Sequence, residues 1–420
     1  MVPLAFAVLL LVGVPVAIVL AATAMVYIAT SGSWVLFQSY PQQLYGGLEK
    51  YALLAIPLFM LVGELMNEGG ITKRLIAFAG VFVGSLKGGL AYINMGASML
   101  AASIIGSANA QIAVMGSVMV PEMEKRGYDR AYAAAVTTAG GLLAPIFPPS
   151  MMFVIYGVMA QISIGNLFIA GIIPGLMMGG AFLAIIALLG FWYNYPAEKR
   201  MTRDQAIRAI LNAIPALAIP GVIIGGILGG FATPTESAAL AALAALLVGT
   251  FFYRDFDFRR VPKMLSRLVM NSSIVLFMVA AANVFGWIIT FEKLPILLAG
   301  ELQALTSDPF IFLMVMNLAL LLICMFLDEI AVLILVVPLL LPIATANYGI
   351  DPYHFGVIIC MNMVLGLVIP PVGTSLFVAA KVSGVKAGRI MKPLAPFIIA
   401  TMAIMFLITW EPRLATTLIK

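Results

Sequence analysis

The sequence predicts an all-α polytopic membrane protein built as an inverted repeat, with two re-entrant helical hairpins and two broken transmembrane helices. Three observations predict it. Of the 420 residues, 63% are hydrophobic and 10% charged, and the mean hydropathy is +1.11, far from the roughly 25% charged residues of a soluble domain. Pro148-Pro149 and Pro370-Pro371 stand 222 positions apart, and the same offset pairs Gly127 with Gly349, Asp129 with Asp351, Leu143 with Leu365 and Pro174 with Pro396 without a gap. Each Pro-Pro pair interrupts an apolar segment, and matching interruptions in the two halves of a membrane chain mark candidate binding sites.

Taken in order, nine stretches are long and apolar enough to cross a bilayer: 3–29, 50–69, 131–160, 167–194, 211–230, 237–253, 268–291, 353–380 and 393–411. The first, Pro3 to Thr30, lacks a basic n-region and exceeds a signal-peptide core of about 7 to 15 residues, so it reads as a retained membrane helix. Basic clusters then fall on one side of the weave: Lys73, Arg74, Lys87, Lys125 and Arg126; Lys199, Arg200, Arg203 and Arg208; Arg254, Arg259, Arg260 and Lys263; Lys381, Lys386 and Arg389. The positive-inside rule makes that side the cytoplasm, with the N-terminus inside and the C-terminus outside. The net charge of +5 is therefore a topology signal rather than a stripe for nucleic acid, and no nucleic-acid partner is expected.

Two apolar stretches do not fit as crossings. Residues 88–121 carry no charge, yet both ends belong on the cytoplasmic side. A hairpin with Ser103, Gly106, Ser107, Asn109 and Gln111 near its tip satisfies both facts. Residues 309–347, with Asp328-Glu329 at the middle and both ends outside, predict a second hairpin entering from the opposite face. Segments 71–87 and 293–308 precede the hairpins as connecting arms. Non-helical backbone at membrane depth persists only where protein or a water-filled cavity satisfies it, so the tips are candidate sites.

The run Leu142 to Ser150 holds Pro145, Pro148 and Pro149, and Gly366 to Ser375 holds Pro370 and Pro371; each proline costs a helix interior about 3 kcal/mol. An interrupted helix ends in free carbonyls, which suit a cation, and restarts with free N–H groups, which suit an anion. The first candidate sodium site combines Ser103, Ser107 and Asn109 with backbone near Gly141, Ala144 and Pro145. The second combines Asp328 with backbone near Gly366, Val368 and Ile369 and the Thr374 hydroxyl. Buried acid at mid-membrane costs about 2.5 to 3.5 kcal/mol on insertion scales, so Asp328 implies a cation, a proton or water. The substrate-binding candidates are Gln111, Pro148, Pro149, Ser150, Pro371, Gly373, Thr374 and Ser375. Glu236 follows Thr233-Pro234-Thr235 and reads as a helix-start residue; the role of Glu64 stays open.

Other chemistry is excluded. Cys324 and Cys360 lie in apolar segments and read as small hydrophobes. His354 is the sole histidine, so no haem pair or metal cluster forms. No phosphate-binding G-x-x-x-x-G-K-[ST] loop occurs, which leaves an ion gradient as the energy source, and no cofactor beyond Na+ is expected. Neither a G-x-S-x-G elbow nor a suitable acid pair supports a hydrolase, so the chain is not expected to be an enzyme.

The stretches Gly116 to Tyr128, Leu142 to Ser150, Gly171 to Gly175 and Gly366 to Ser375 together resemble the large membrane subunit of tripartite ATP-independent periplasmic (TRAP) transporters. The resemblance implies an elevator-type carrier of the ion transporter superfamily in the bacterial inner membrane. It would be a sodium-driven importer of an organic acid such as sialic acid, a C4-dicarboxylate or a sugar acid. The implied partners are a small four-helix membrane subunit on a separate chain and a periplasmic substrate-binding protein. Combined with the residue reading, it divides the chain into scaffold helices 1–70, an arm 71–87, a transport unit 88–166, scaffold 167–292, an arm 293–308, a second transport unit 309–388 and a C-terminal scaffold helix 389–420. A stand-alone sodium/dicarboxylate symporter of the related fold and an ion channel remain the alternatives.

Overall fold

The computed structural model describes residues 2–32, 35–83, 87–193, 195 and 202–419. In chain order the helices are α1 (Val2–Leu11), α2 (Val16–Thr30), α3 (Val35–Gly46), α4 (Ala55–Glu68), α5 (Ile71–Val83), α6 (Gly89–Ile105), α7 (Ala108–Lys125), α8 (Arg130–Gly141), α9 (Met151–Ala160) and α10 (Ile164–Tyr193). There follow α11 (Arg203–Leu228), α12 (Pro234–Leu247), α13 (Val261–Phe291), α14 (Leu294–Leu305), α15 (Pro309–Cys324), α16 (Glu329–Ala346), α17 (Pro352–Gly366), α18 (Thr374–Ser383), α19 (Ala387–Trp410) and α20 (Arg413–Thr416). Lys199 and Arg200 of the expected basic clusters lie outside the described residues.

Both hairpins are present. α6 and α7 turn at Gly106-Ser107, and α15 and α16 turn over residues 325–328. The arms are α5 and α14, the latter bent 114° from α15. Both Pro-Pro segments break their helices, α8 from α9 and α17 from α18, and both Pro-Pro bonds are cis. The repeat extends to the caps. Asp129 accepts the N–H groups of Ala131 and Tyr132 at 2.8 and 3.0 Å, and Asp351 accepts those of Tyr353 and His354 at 2.8 and 3.2 Å. Each starts the first half of a broken helix with the side-chain acceptor an N-terminus requires.

Among the described residues, six of the nine expected crossings are helical spans: Tyr51–Glu68, Ile164–Gly190, Arg203–Leu228, Pro234–Phe252, Phe258–Phe291 and Ala387–Trp410. The first expected crossing departs from the prediction. It divides into α1 and α2 because Gly13 takes a left-handed φ of 83° and Pro15, which has no N–H to donate, becomes the N-cap of α2. Helix α3, which the apolar-stretch reading passed over, packs on α13 beside it.

Two sets of helices can be followed by their packing, joined where α5 and α4 meet α6 and where α13 meets α16. One, here called the frame, joins α2, α3 and α13, α4 and α12, and α5 and α11. The other gathers the hairpins and broken helices. Helices α10 and α19, placed in scaffold segments 167–292 and 389–420 by the sequence reading, pack largely on helices of this second set: α10 on α6, α9, α17 and α19, and α19 on α8, α17 and α18. The reason is a groove of glycines along α10. Cβ atoms added at Gly171 and Gly175 would lie 2.2 and 2.8 Å from the rings of Phe153 and Phe147, so glycine there lets the broken helix close on α10, and at Gly179 the flexible end of Met99 fills the same groove. Phe182 of α10 then meets Phe397 of α19 edge-on at 5.4 Å.

Candidate functional site

The two hairpin tips, from opposite repeats, open on one cavity of about 460 Å3. Its hairpin wall is Ile105, Ser107, Asn109, Ala110 and Val114 from the first hairpin, Asp328 and Ile330 from the second, and Met151 at the start of α9. Its frame wall is Met60, Gly63, Glu64 and Asn67 of α4 and Leu268, Asn271, Ile274, Val275 and Met278 of α13. The volume falls within the roughly 300 to 1,000 Å3 usual for small-molecule sites. The cavity lies toward the end of α4 and the start of α13, the end of the bundle that carries Lys73, Arg74, Arg259 and Arg260. There Arg267 clamps α13 to α4, donating to Glu64 at 2.9 Å and Glu68 at 3.1 Å.

Each tip sits against a helix break. Gly106 approaches the Pro149 carbonyl and the Met151 N–H, while the Val372 N–H donates to the Met325 carbonyl at 3.3 Å. The repeats are also tied across: Ser375 Oγ, at the start of α18, donates to Asn109 Oδ1 at 2.7 Å. The tip of one hairpin is thereby held by the broken helix of the other repeat.

The first expected cation set is brought together in part. Ser107 and Asn109 line the cavity, and Gly141 lies against the Ala108 carbonyl. Ser103 sits a turn away and spends its hydroxyl on the Leu100 carbonyl at 2.7 Å. Ala144 is buried behind the tip, and the Pro145 carbonyl accepts the Ser150 hydroxyl at 2.5 Å.

The second set is rearranged. Asp328 caps α16, accepting the Ile330 N–H at 3.0 Å, and faces the large cavity. Its neighbour Glu329 points inward to a separate cavity of about 10 Å3 lined by Cys324, Leu327, Met363, Gly366, Leu367, Val372, Gly373 and Thr374, enough for a single particle of water size. Glu329 Oε2 and Thr374 Oγ1 are both buried there without a hydrogen-bond partner, although such groups are nearly always paired. Two unanswered oxygens around so small a space fit a bare cation. Of the expected second set, Gly366 and Thr374 line this cavity together with Glu329, whereas Asp328, Val368 and Ile369 do not.

The expected substrate-binding residues do not reach the large cavity. Gln111 is fully buried, its Nε2 donating to the carbonyls of Ser98 and Gly140 at 2.8 and 2.9 Å as a brace between hairpin and α8. Ser150 caps α9. Pro148 faces α10 and α11, and Pro149 packs behind the first tip. Pro371 is exposed, Gly373 and Thr374 belong to the small cavity, and Ser375 holds Asn109. Of the frame residues on the large cavity's wall, the sequence reading named Glu64 with its role open and passed over Asn67 and Asn271. Spacing carried the signal: Glu64 and Asn67, and Leu268, Asn271, Val275 and Met278, recur at helical intervals on one face. Glu236 acts as expected, in a capping box with Thr233.

Comparison with known proteins places these features in a lineage. The family model described as "Tripartite ATP-independent periplasmic transporter, DctM component" matches residues 4–414. The sialic acid TRAP transporter large permease protein SiaM of Vibrio cholerae is 35% identical over 406 residues, covering 96% of this chain and 94% of that protein. The isethionate TRAP transporter permease protein DctMQ of Oleidesulfovibrio alaskensis is 37% identical over 415 residues, 97% of this chain, which spans 64% of that longer relative. The C4-dicarboxylate large permease protein DctM of Pseudomonas aeruginosa is 35% identical, covering 88% of this chain and 86% of that protein. Among solved structures, the Alcanivorax borkumensis YdaH transporter superposes with a TM-score of 0.67 at 14% identity, covering 90% of this chain and 88% of that one.

Proposed function

The chain belongs to the DctM component family of tripartite ATP-independent periplasmic transporters, and from that membership we propose that it is the sodium-coupled carrier of an organic acid. The observation that carries this reading is the single cavity on which both hairpin tips open against the frame. Sodium would sit at Ser107, Asn109 and the Gly141 backbone in one repeat and at Glu329 and Thr374 in the other. The substrate would occupy the large cavity between them. The names of the relatives point to an acid such as a sialic acid, a C4-dicarboxylate or a sulfonate. A small membrane subunit and a periplasmic binding protein would complete the system in the bacterial inner membrane.

The hairpin group, including α10 and α19, would move as an elevator against the frame. With the basic end cytoplasmic, the large cavity would face inward; toward the opposite end Pro148, Phe168, Ile169 and Ile172 approach Ile224, Ile227 and Leu228, beside a second cavity of about 470 Å3 lined by Tyr51, Ile162, Asn166 and Thr233. A Cβ added at Gly165 of α10 would lie 2.8 Å from Ile227 Cγ2 of α11, which makes this pair a candidate for a disulfide between the groups. Oxidising Gly165→Cys/Ile227→Cys, with the partner proteins supplied, should reduce sodium-driven uptake to background, and reductant should restore it. Undiminished uptake by fully cross-linked protein would contradict the elevator. Uptake without any binding protein would identify a stand-alone symporter instead.

A further inference from the structure

The charges on the cavity wall bear on which acid it takes. Among the described residues that line it, two carry carboxylates, Glu64 and Asp328, and none is a lysine, arginine or histidine. The nearby guanidinium, Arg267, is already engaged by Glu64 at 2.9 Å and Glu68 at 3.1 Å. Asp328 has its own answer in the Ile330 N–H. What the wall offers a ligand is therefore the amides of Asn67, Asn109 and Asn271, the Ser107 hydroxyl and carboxylate oxygens that accept from hydroxyl groups. For negative charge it offers the first-turn amides of α7, whose N-cap Ser107 makes no side-chain capping bond, and sodium bound beside them. That provision suits one anionic group, and a second would face Glu64 or Asp328 in a partly desolvated space.

We propose that Glu64 and Asp328 make this cavity select a hydroxylated monoanion, a sugar acid or a hydroxyalkyl sulfonate, over a dicarboxylate. The inference rests on the transport reading above and assigns Glu64 as a specificity-determining residue. Its ion pair leaves a carboxylate on the wall that repels a dianion and accepts from hydroxyls.

The test is the thermal unfolding midpoint of the detergent-purified chain in sodium chloride, titrated with gluconate, isethionate or succinate at equal ionic strength. Gluconate or isethionate should bind at least about tenfold more tightly than succinate, the scale of one unfavourable charge contact. Glu64→Gln should narrow that preference chiefly by improving succinate. Glu68→Gln removes another partner of Arg267 but does not line the cavity, and should leave the preference intact. Succinate binding as tightly as the monoanions would overturn the proposal, as would equal effects of the two variants. Sodium stabilisation without binding of any of the three anions would overturn it too, leaving the transport reading standing. Loss of the sodium effect itself would bring down that reading and this inference with it.

Discussion

Glu329→Gln should make the protein more stable without sodium and less stable than wild type with it. In choline chloride, the wild-type chain holds an acid group whose Oε2 is buried without a partner beside the equally unanswered Thr374 hydroxyl. A carboxyl group buried without a partner costs on the order of 1 to 3 kcal/mol, whether it stays ionised or takes up a proton, and the amide removes the part owed to charge. In sodium at a hundred times the dissociation constant, the wild type gains about 2.7 kcal/mol at one site, a gain the variant forgoes. Thermal unfolding of both proteins in the two salts at equal ionic strength checks the crossing. A variant that responds to sodium as the wild type does would remove Glu329 from the ion site. Asp328→Asn, which alters a cap facing the large cavity, should retain most of the sodium response.

Gly366→Ala should disrupt the same site by a different route. The added Cβ would lie 2.3 Å from Cys324 Cβ and 3.1 Å from the Cys324 carbonyl oxygen, and the second atom is backbone that cannot swing aside. Overpacking of this kind typically costs about 1 to 3 kcal/mol. It would also lift the second hairpin from its helix break and weaken the sodium response. In a Cys324→Gly background the closest of these contacts disappears, so the double variant should recover part of the loss beyond the sum of the singles. Strict additivity in a double-mutant cycle would show that the contact does not limit packing.

Much of the architecture was legible because it is written in prolines and charges. Pro148-Pro149 and Pro370-Pro371 break their helices where they stand, and the uncharged run before Glu122 turns back at Gly106-Ser107. Less legible was the allegiance of α10 and α19, which depends on how Gly171, Gly175 and Gly179 receive side chains from distant segments. In the site, Asp328 and Glu329 are adjacent acids that the sequence does not tell apart, and only the start of α16 decides that the first caps the helix while the second turns inward. The substrate candidates lie away from the large cavity for a related reason. Polar residues near a break, such as Gln111 and Ser150, are needed to satisfy the backbone that the break exposes. The frame wall was overlooked because Asn67 and Asn271 lie in helices with no interruption to mark them.

The central claim is that the hairpin tips bind sodium, and it is tested most directly by titrating sodium chloride against choline chloride at constant ionic strength while following thermal unfolding of the wild-type chain. The account predicts a rise in midpoint that saturates with sodium, is not reproduced by potassium, and shrinks in both Ser107→Ala and Glu329→Gln. A midpoint that tracks ionic strength alone, with no preference for sodium, would contradict it.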